Sequence, residues 1–221
     1  MTMKKFTPLK ILVYLVALFP LTKLIFDYLT NNFSPNPIQD LEQRTGFAAL
    51  SLLFLSLSSR PLNILFGWRE PIRHRRILGL YAFFYASLHV LVFVGIDYEF
   101  SWILTQNAFL ENRFIWAGSA AFILLIPLAL TSFGYWKAQL GKNWRRLHYL
   151  VYLIAPLAVI HFAWARKGDI FSLQGDVLLP ATYGFFLILL FLTRFKVIRK
   201  KALALRTKFR RKRYQKSPLP R

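Results

Sequence analysis

Six apolar runs divide the chain, at about residues 11–29, 46–58, 77–96, 114–133, 147–165 and 177–193. The hydrocarbon core of a bilayer, about 30 Å thick, is crossed by roughly 20 residues of α-helix. In that solvent every backbone amide and carbonyl must find its partner within the segment, and none of the runs shows the alternation that marks a membrane barrel. The pattern therefore predicts an all-α membrane protein built as a bundle of six transmembrane helices. The runs occupy most of residues 1–193, so the connections are short and no sizeable soluble domain fits among them. No internal repeat is visible.

The first run is atypical, because it contains Pro20, Lys23 and Asp27. Lys23 and Asp27 stand i, i+4 and are expected to pair across one helical turn as a structural feature. Lys4, Lys5 and Lys10 ahead of it imitate the start of a signal peptide, but no small-residue cleavage site follows, and the run is expected to be a retained helix.

Charge decides the orientation, since cytoplasmic loops are enriched in Lys and Arg. Arg60, Arg69, Arg73, Arg75 and Arg76 follow the second run, Lys137, Lys142, Arg145 and Arg146 follow the fourth, and residues 194–221 hold 13 Lys or Arg and no acid. Asp40, Glu42, Asp97, Glu99 and Glu111 occupy the alternate connections, and the fifth sets Arg166 and Lys167 against Asp169 and Asp176. The expectation is a multi-pass membrane protein with both termini cytoplasmic and the opposite loops periplasmic or extracellular. All six tryptophans fall at or near run ends, where an indole anchors to the interface. The formal net charge of +21 is concentrated in the basic cytoplasmic tail, residues 194–221. Beside a membrane span such a tail is expected to meet anionic lipid head groups, not nucleic acid. Cysteine is absent, which excludes disulfides, iron–sulfur clusters, thiolate-ligated haem and covalent c-type haem attachment.

The remaining chemistry lies in His74, His89, His148 and His161. His89 is 12 residues into the third run and His161 14 residues into the fifth, about 18 and 21 Å along helices that run in the same direction. Two imidazoles at one depth on parallel helices supply the two axial nitrogens of a six-coordinate haem iron, the arrangement of a b-type cytochrome. Phe83, Phe84, Tyr85, Phe93, Tyr152 and Phe162 on the same helices supply apolar, aromatic walls. The plainer reading is that each membrane histidine hydrogen-bonds a neighbouring helix and does nothing more. Ionisable residues inside a bilayer are costly enough that a matched pair is a candidate site.

His148 is 13 residues below His161, about 20 Å along the axis, and would suit a second haem. In a straight helix the two rings point about 140° apart, although Pro156 lies between them and can bend it. On the third helix the positions that would supply the partner are Arg75 and Arg76, and His74 sits one residue beyond in a basic loop. Haem propionates near the outer surface would draw on Arg44, Arg113, Arg166 or Lys167, each equally readable as an interface anchor.

Three stretches carry a resemblance: Arg75-Arg76-Ile-Leu-Gly79-Leu leading into Leu88-His89; Leu140-Gly-Lys-Asn-Trp144-Arg-Arg-Leu-His148-Tyr-Leu-Val-Tyr152; and Ile160-His161-Phe-Ala-Trp164. Together they resemble the ferric-reductase-like transmembrane family, and the match covers nearly the whole chain. The resemblance implies haem b held by His89 and His161, with His148 as the third family histidine. For a bacterial member it implies electron transfer to a periplasmic molybdopterin-containing methionine sulfoxide reductase, from the quinone pool or a cytosolic flavin reductase. It also implies a bound FMN, whose site the residues do not place. Arg75, Arg76 and His148 on the cytoplasmic side would suit a flavin phosphate or a quinone carbonyl, although positive-inside topology alone accounts for the arginines.

Two departures from the larger relatives in that family remove function. Arg75 or Arg76 stands where a second haem ligand is usual, and the tail holds no glycine and so no dinucleotide-binding turn. Electrons are thus expected from a separate donor, which makes the chain an electron-transfer subunit and not the catalytic one. The competing class is a metal-ion or small-molecule transporter with His89 and His161 lining its path. A transport site normally recruits carboxylates at mid-depth, and beyond Asp27 no acid lies within a run.

Overall fold

The computed structural model describes residues 8–166 and 176–215, with side chains as far as Lys208. Lys4, Lys5, Lys167, Asp169 and the end of the basic tail lie outside the described residues. The helices are α1 (Pro8–Leu29), α2 (Pro37–Phe66), α3 (Glu70–Leu91, continued by a π-helical turn, Val92–Asp97), α4 (Trp102–Glu111) and α5 (Arg113–Leu130). They continue with α6 (Gly134–Leu147, then a 3₁₀ turn, His148–Leu150), α7 (Val151–Ala165), α8 (Leu178–Leu192) and α9 (Lys196–Gln215). Five helical segments are long and apolar enough to cross a membrane: α1, α2, α3 with its π turn, α5, and α6 to α7. The bent pair of α8 and α9 makes a sixth.

Local chemistry explains where α2 starts and stops. Asn36 accepts a hydrogen bond from the Gln39 amide at 3.2 Å, Pro37 fills the first turn, and Gly67 at φ 75° closes the helix by donating its N–H to the Asn63 carbonyl. At 30 residues α2 is about 45 Å long and overruns the predicted run of 46–58 at both ends. Asp40, Glu42 and Arg44 at one end and Arg60 and Pro61 at the other had the look of loop, but they belong to a helix that continues past the hydrocarbon. The short α4, capped by Ser101 accepting from the Leu104 amide at 3.4 Å, and α9 in the basic tail were not foreseen as helices. Within α6, Gly141 takes φ 48°, ψ −118°, a kink that turns the chain into the fifth spanning helix.

Inside a bilayer, close packing and interhelical hydrogen bonds hold helices together, because lipid is as apolar as a leucine side chain. Buried alanines (Ala17, Ala48, Ala82, Ala155) line the helix seams and let backbones approach. α2 packs most extensively on α3, and α5 on α7. The fully buried Tyr85 ties α3 to α1: its hydroxyl donates to the Ala17 carbonyl at 2.8 Å and accepts from the Leu21 amide at 3.1 Å. It thereby inserts into the α1 ladder beside Pro20. At the far end of α1 the expected Lys23–Asp27 pair is present at 2.9 Å. Asp27 is completely buried and also accepts from Arg44 on α2 and from Asn32, so its role is to clasp the first two helices.

Candidate functional site

α3 and α7 bring His89 and His161 side by side, with ring centroids 5.9 Å apart and ring planes at 76°. Each ring is aimed by a backbone carbonyl of the neighbouring helix. His89 Nδ1 lies 2.9 Å from the Glu42 carbonyl on α2, and His161 Nδ1 lies 2.7 Å from the Phe114 carbonyl on α5. A carbonyl oxygen only accepts, so each Nδ1 carries the hydrogen and each neutral imidazole keeps its lone pair on Nε2. This is how histidine is prepared for a metal: a hydrogen bond behind the ring fixes the tautomer and raises the basicity of the other nitrogen.

The two seats share one construction. In both, the histidine follows its carbonyl partner by 47 residues, and a glycine one helical turn beyond the carbonyl lies under the ring. A Cβ on Gly46 would stand 3.2 Å from His89 Nδ1, and one on Gly118 would stand 2.6 Å from His161 Nδ1. The pairs α2–α3 and α5–α7 are thus matching halves. The sequence shows no repeat because what recurs is a carbonyl and a missing side chain, neither of which leaves a motif. Gly46 and Gly118 were accordingly overlooked, and their equal placement before the two histidines was the signal available.

Two imidazoles that bind one metal through Nε2 from opposite sides, with metal–nitrogen bonds of about 2 Å, have centroids about 6 Å apart. The observed separation fits that requirement, and the Phe114 ring, 5.9 Å from that of His161, gives the pair an apolar wall, while Phe83 and Phe122 stack on each other between α3 and α5.

The remaining predicted residues are elsewhere. His148 lies in the 3₁₀ turn ahead of α7, its ring 4.0 Å from that of Trp144 and its Nδ1 3.0 Å from the Trp144 carbonyl. Trp144 is itself fixed by donating to the Thr131 carbonyl at 2.8 Å. His74 is buried at the start of α3 with Nε2 unpartnered. The side chains of Arg75 and Arg76 are exposed, and Arg76 lies over the Phe133 ring at 5.4 Å. Of the cations considered for propionates, Arg44 is held by Asp27 and Asp40, Arg113 lies over Trp164, and Arg166 pairs with Asp176.

Comparison with known proteins places these features in context. Residues 44–159 match the family described as the ferric reductase like transmembrane component; that segment includes His89 and His148 and ends just before His161. A protein of Xanthomonas axonopodis pv. citri, named protein-methionine-sulfoxide reductase heme-binding subunit MsrQ, is 41% identical over 167 residues, 73% of this chain and 77% of its own. Proteins of the same name are 38% identical in Xanthomonas oryzae pv. oryzae, over 91% of both chains, and 38% identical in Herminiimonas arsenicoxydans, over 85% of this chain and 84% of that one.

Proposed function

This multi-pass membrane chain belongs to the ferric-reductase-like transmembrane family and, within it, to the family of the MsrQ haem-binding subunits, and from that premise we propose that it carries electrons across the bacterial inner membrane. His89 and His161 would hold one haem b through their Nε2 atoms. Electrons enter from the quinone pool or a cytosolic flavin reductase and leave to MsrP, a periplasmic molybdopterin reductase that returns methionine sulfoxide in envelope proteins to methionine. The single observation that carries this reading is the pair of carbonyl-anchored imidazoles, 5.9 Å apart.

Haem supplies one-electron chemistry, and the protein supplies ligation, orientation and a low-dielectric slot. Glu42 and Phe114 hold the imidazole hydrogens on Nδ1, which leaves Nε2 of both rings free to ligate. Residues 1–193 form the haem-binding unit, and the basic loops and tail face the cytoplasm with both termini, a reading supported by the distribution of Lys and Arg. A flavin phosphate or a quinone carbonyl on the cytoplasmic side would find cations at the exposed Arg75 and Arg76, with His148 as the third group. The transport alternative draws on the same two histidines, and their aligned carbonyl anchors favour ligation of one shared group over a path between them.

The test is optical. Protein purified from cells supplied with haem is expected to be red, with a Soret band that sharpens and shifts on dithionite reduction. His89→Ala and His161→Ala are each expected to lose the band. A colourless parent protein, or full haem content in His161→Ala, would overturn the assignment.

A further inference from the structure

At the basic end of the bundle, where α2, α7 and α8 converge on the start of α9, the surface opens into a cleft of about 400 Å³. Arg60, Arg194 and Arg199 line it together with Tyr149, Tyr152 and Phe191, and no acid is among the lining residues. Arg194 is turned inward: it donates to the Leu57 carbonyl at 3.2 Å, lies over the Tyr152 ring at 5.4 Å, and leaves its Nε buried without a partner. None of the ion pairs among the described residues involves the three arginines that line the cleft. Scattered cations at a cytoplasmic face follow from topology alone. A converging set held against aromatic walls, with a guanidinium nitrogen buried and unsatisfied, lacks an anion, and phosphate oxygens match guanidinium donors best.

The surroundings say what kind of phosphate. Tyr149, in the turn that leads into α7, begins an exposed apolar stripe that continues along α7 through Leu153, 52% exposed, and Ile160, 39% exposed, into the membrane. A ligand here meets cations at one end and a lipid-facing helix surface at the other. We propose that the cleft binds the head-group phosphate of an anionic phospholipid, whose acyl chain lies along this face of α7. This holds whether or not the chain carries haem.

Native mass spectrometry of the delipidated full chain, titrated with phosphatidylglycerol or phosphatidylcholine of the same acyl chains, tests it. One phosphatidylglycerol is expected to bind at least roughly tenfold more tightly than phosphatidylcholine, and Arg60→Gln with Arg199→Gln is expected to remove roughly tenfold or more of that affinity. Arg145→Gln with Arg146→Gln, an equal charge loss on the same face, is expected to change it less than about twofold, since neither residue lines the cleft. Equal binding of the two lipids, or equal losses in the two double variants, would overturn the proposal. So would displacement of the lipid by inorganic phosphate or free FMN, which would make this a site for a soluble phosphate. Should the Arg60 and Arg199 variant fail to fold, the parent protein still decides: phosphatidylglycerol is expected to raise its thermal midpoint and phosphatidylcholine is not, and identical shifts would overturn the assignment.

Discussion

His161 rests against Gly118 so closely that one added methyl group would stand 2.6 Å from Nδ1. The obstruction is the ring itself, which the Phe114 carbonyl already fixes, so the imidazole cannot swing aside without giving up that hydrogen bond. Gly118→Ala is therefore expected to push His161 out of register and to lower haem retention by more than half. Gly46→Ala, where the corresponding distance is 3.2 Å, is expected to keep most of the haem with a shifted spectrum. Overpacking of this kind costs about 1–3 kcal/mol. Pyridine haemochrome quantitation on the purified variants reads the difference, and equal retention in the two would show that the glycines are not seats for the rings.

His148 is stacked on Trp144 and hydrogen-bonded to its carbonyl, away from the His89–His161 pair. His148→Ala is expected to leave the haem-to-protein ratio and the Soret maximum unchanged. A parent ratio near two haems per chain, falling to one in this variant, would instead assign His148 to a second haem.

Tyr85→Phe removes a hydroxyl that serves two backbone groups of α1 in the bilayer interior. The Ala17 carbonyl and the Leu21 amide are i, i+4 partners that close on each other once the hydroxyl is gone, so the cost is that of the lost tie between α1 and α3, about 0.5–1.5 kcal/mol. The measurement is the thermal midpoint in detergent, which is expected to fall, with no change in the axial-ligand spectrum at fixed temperature.

Asp27 has three partners and no exposure, whereas the side chain of Lys23 is half exposed. Asp27→Asn is expected to lower the thermal midpoint well below that of Lys23→Ala, because it removes the buried charge that joins Lys23 on α1 to Arg44 on α2 and leaves Arg44 with Asp40 alone. Similar midpoints would mean that the clasp contributes little.

Much of this architecture is legible in the amino-acid order. Long apolar runs mark spanning helices because lipid tolerates little else, and matched depths on α3 and α7 bring His89 next to His161. The run at 46–58 was read short because Asp40, Arg44 and Arg60 signal the end of the hydrocarbon, which is a different boundary from the end of the helix. α4 was read as loop because a 10-residue helix carries no span signal. The seats of the histidines escaped notice for another reason. The Glu42 and Phe114 carbonyls are backbone, identical at every position, and only the fold selects which of them point at a ring. The basic cleft, likewise, joins Arg60 to Arg194 and Arg199 across more than a hundred residues, and no local window contains it.

The 79° turn between α8 and α9 has a consequence for any soluble partner. With α8 upright in the bilayer, the stretch Lys196–Lys208 of α9 runs nearly flat along the surface for about 20 Å. Over that stretch the cationic side chains are spread sideways as a shelf and do not hang into solution as a tether. A negatively charged visitor would thus be gathered from the flank and guided across the shelf toward the mouth of the bundle, at a rate that falls as salt rises.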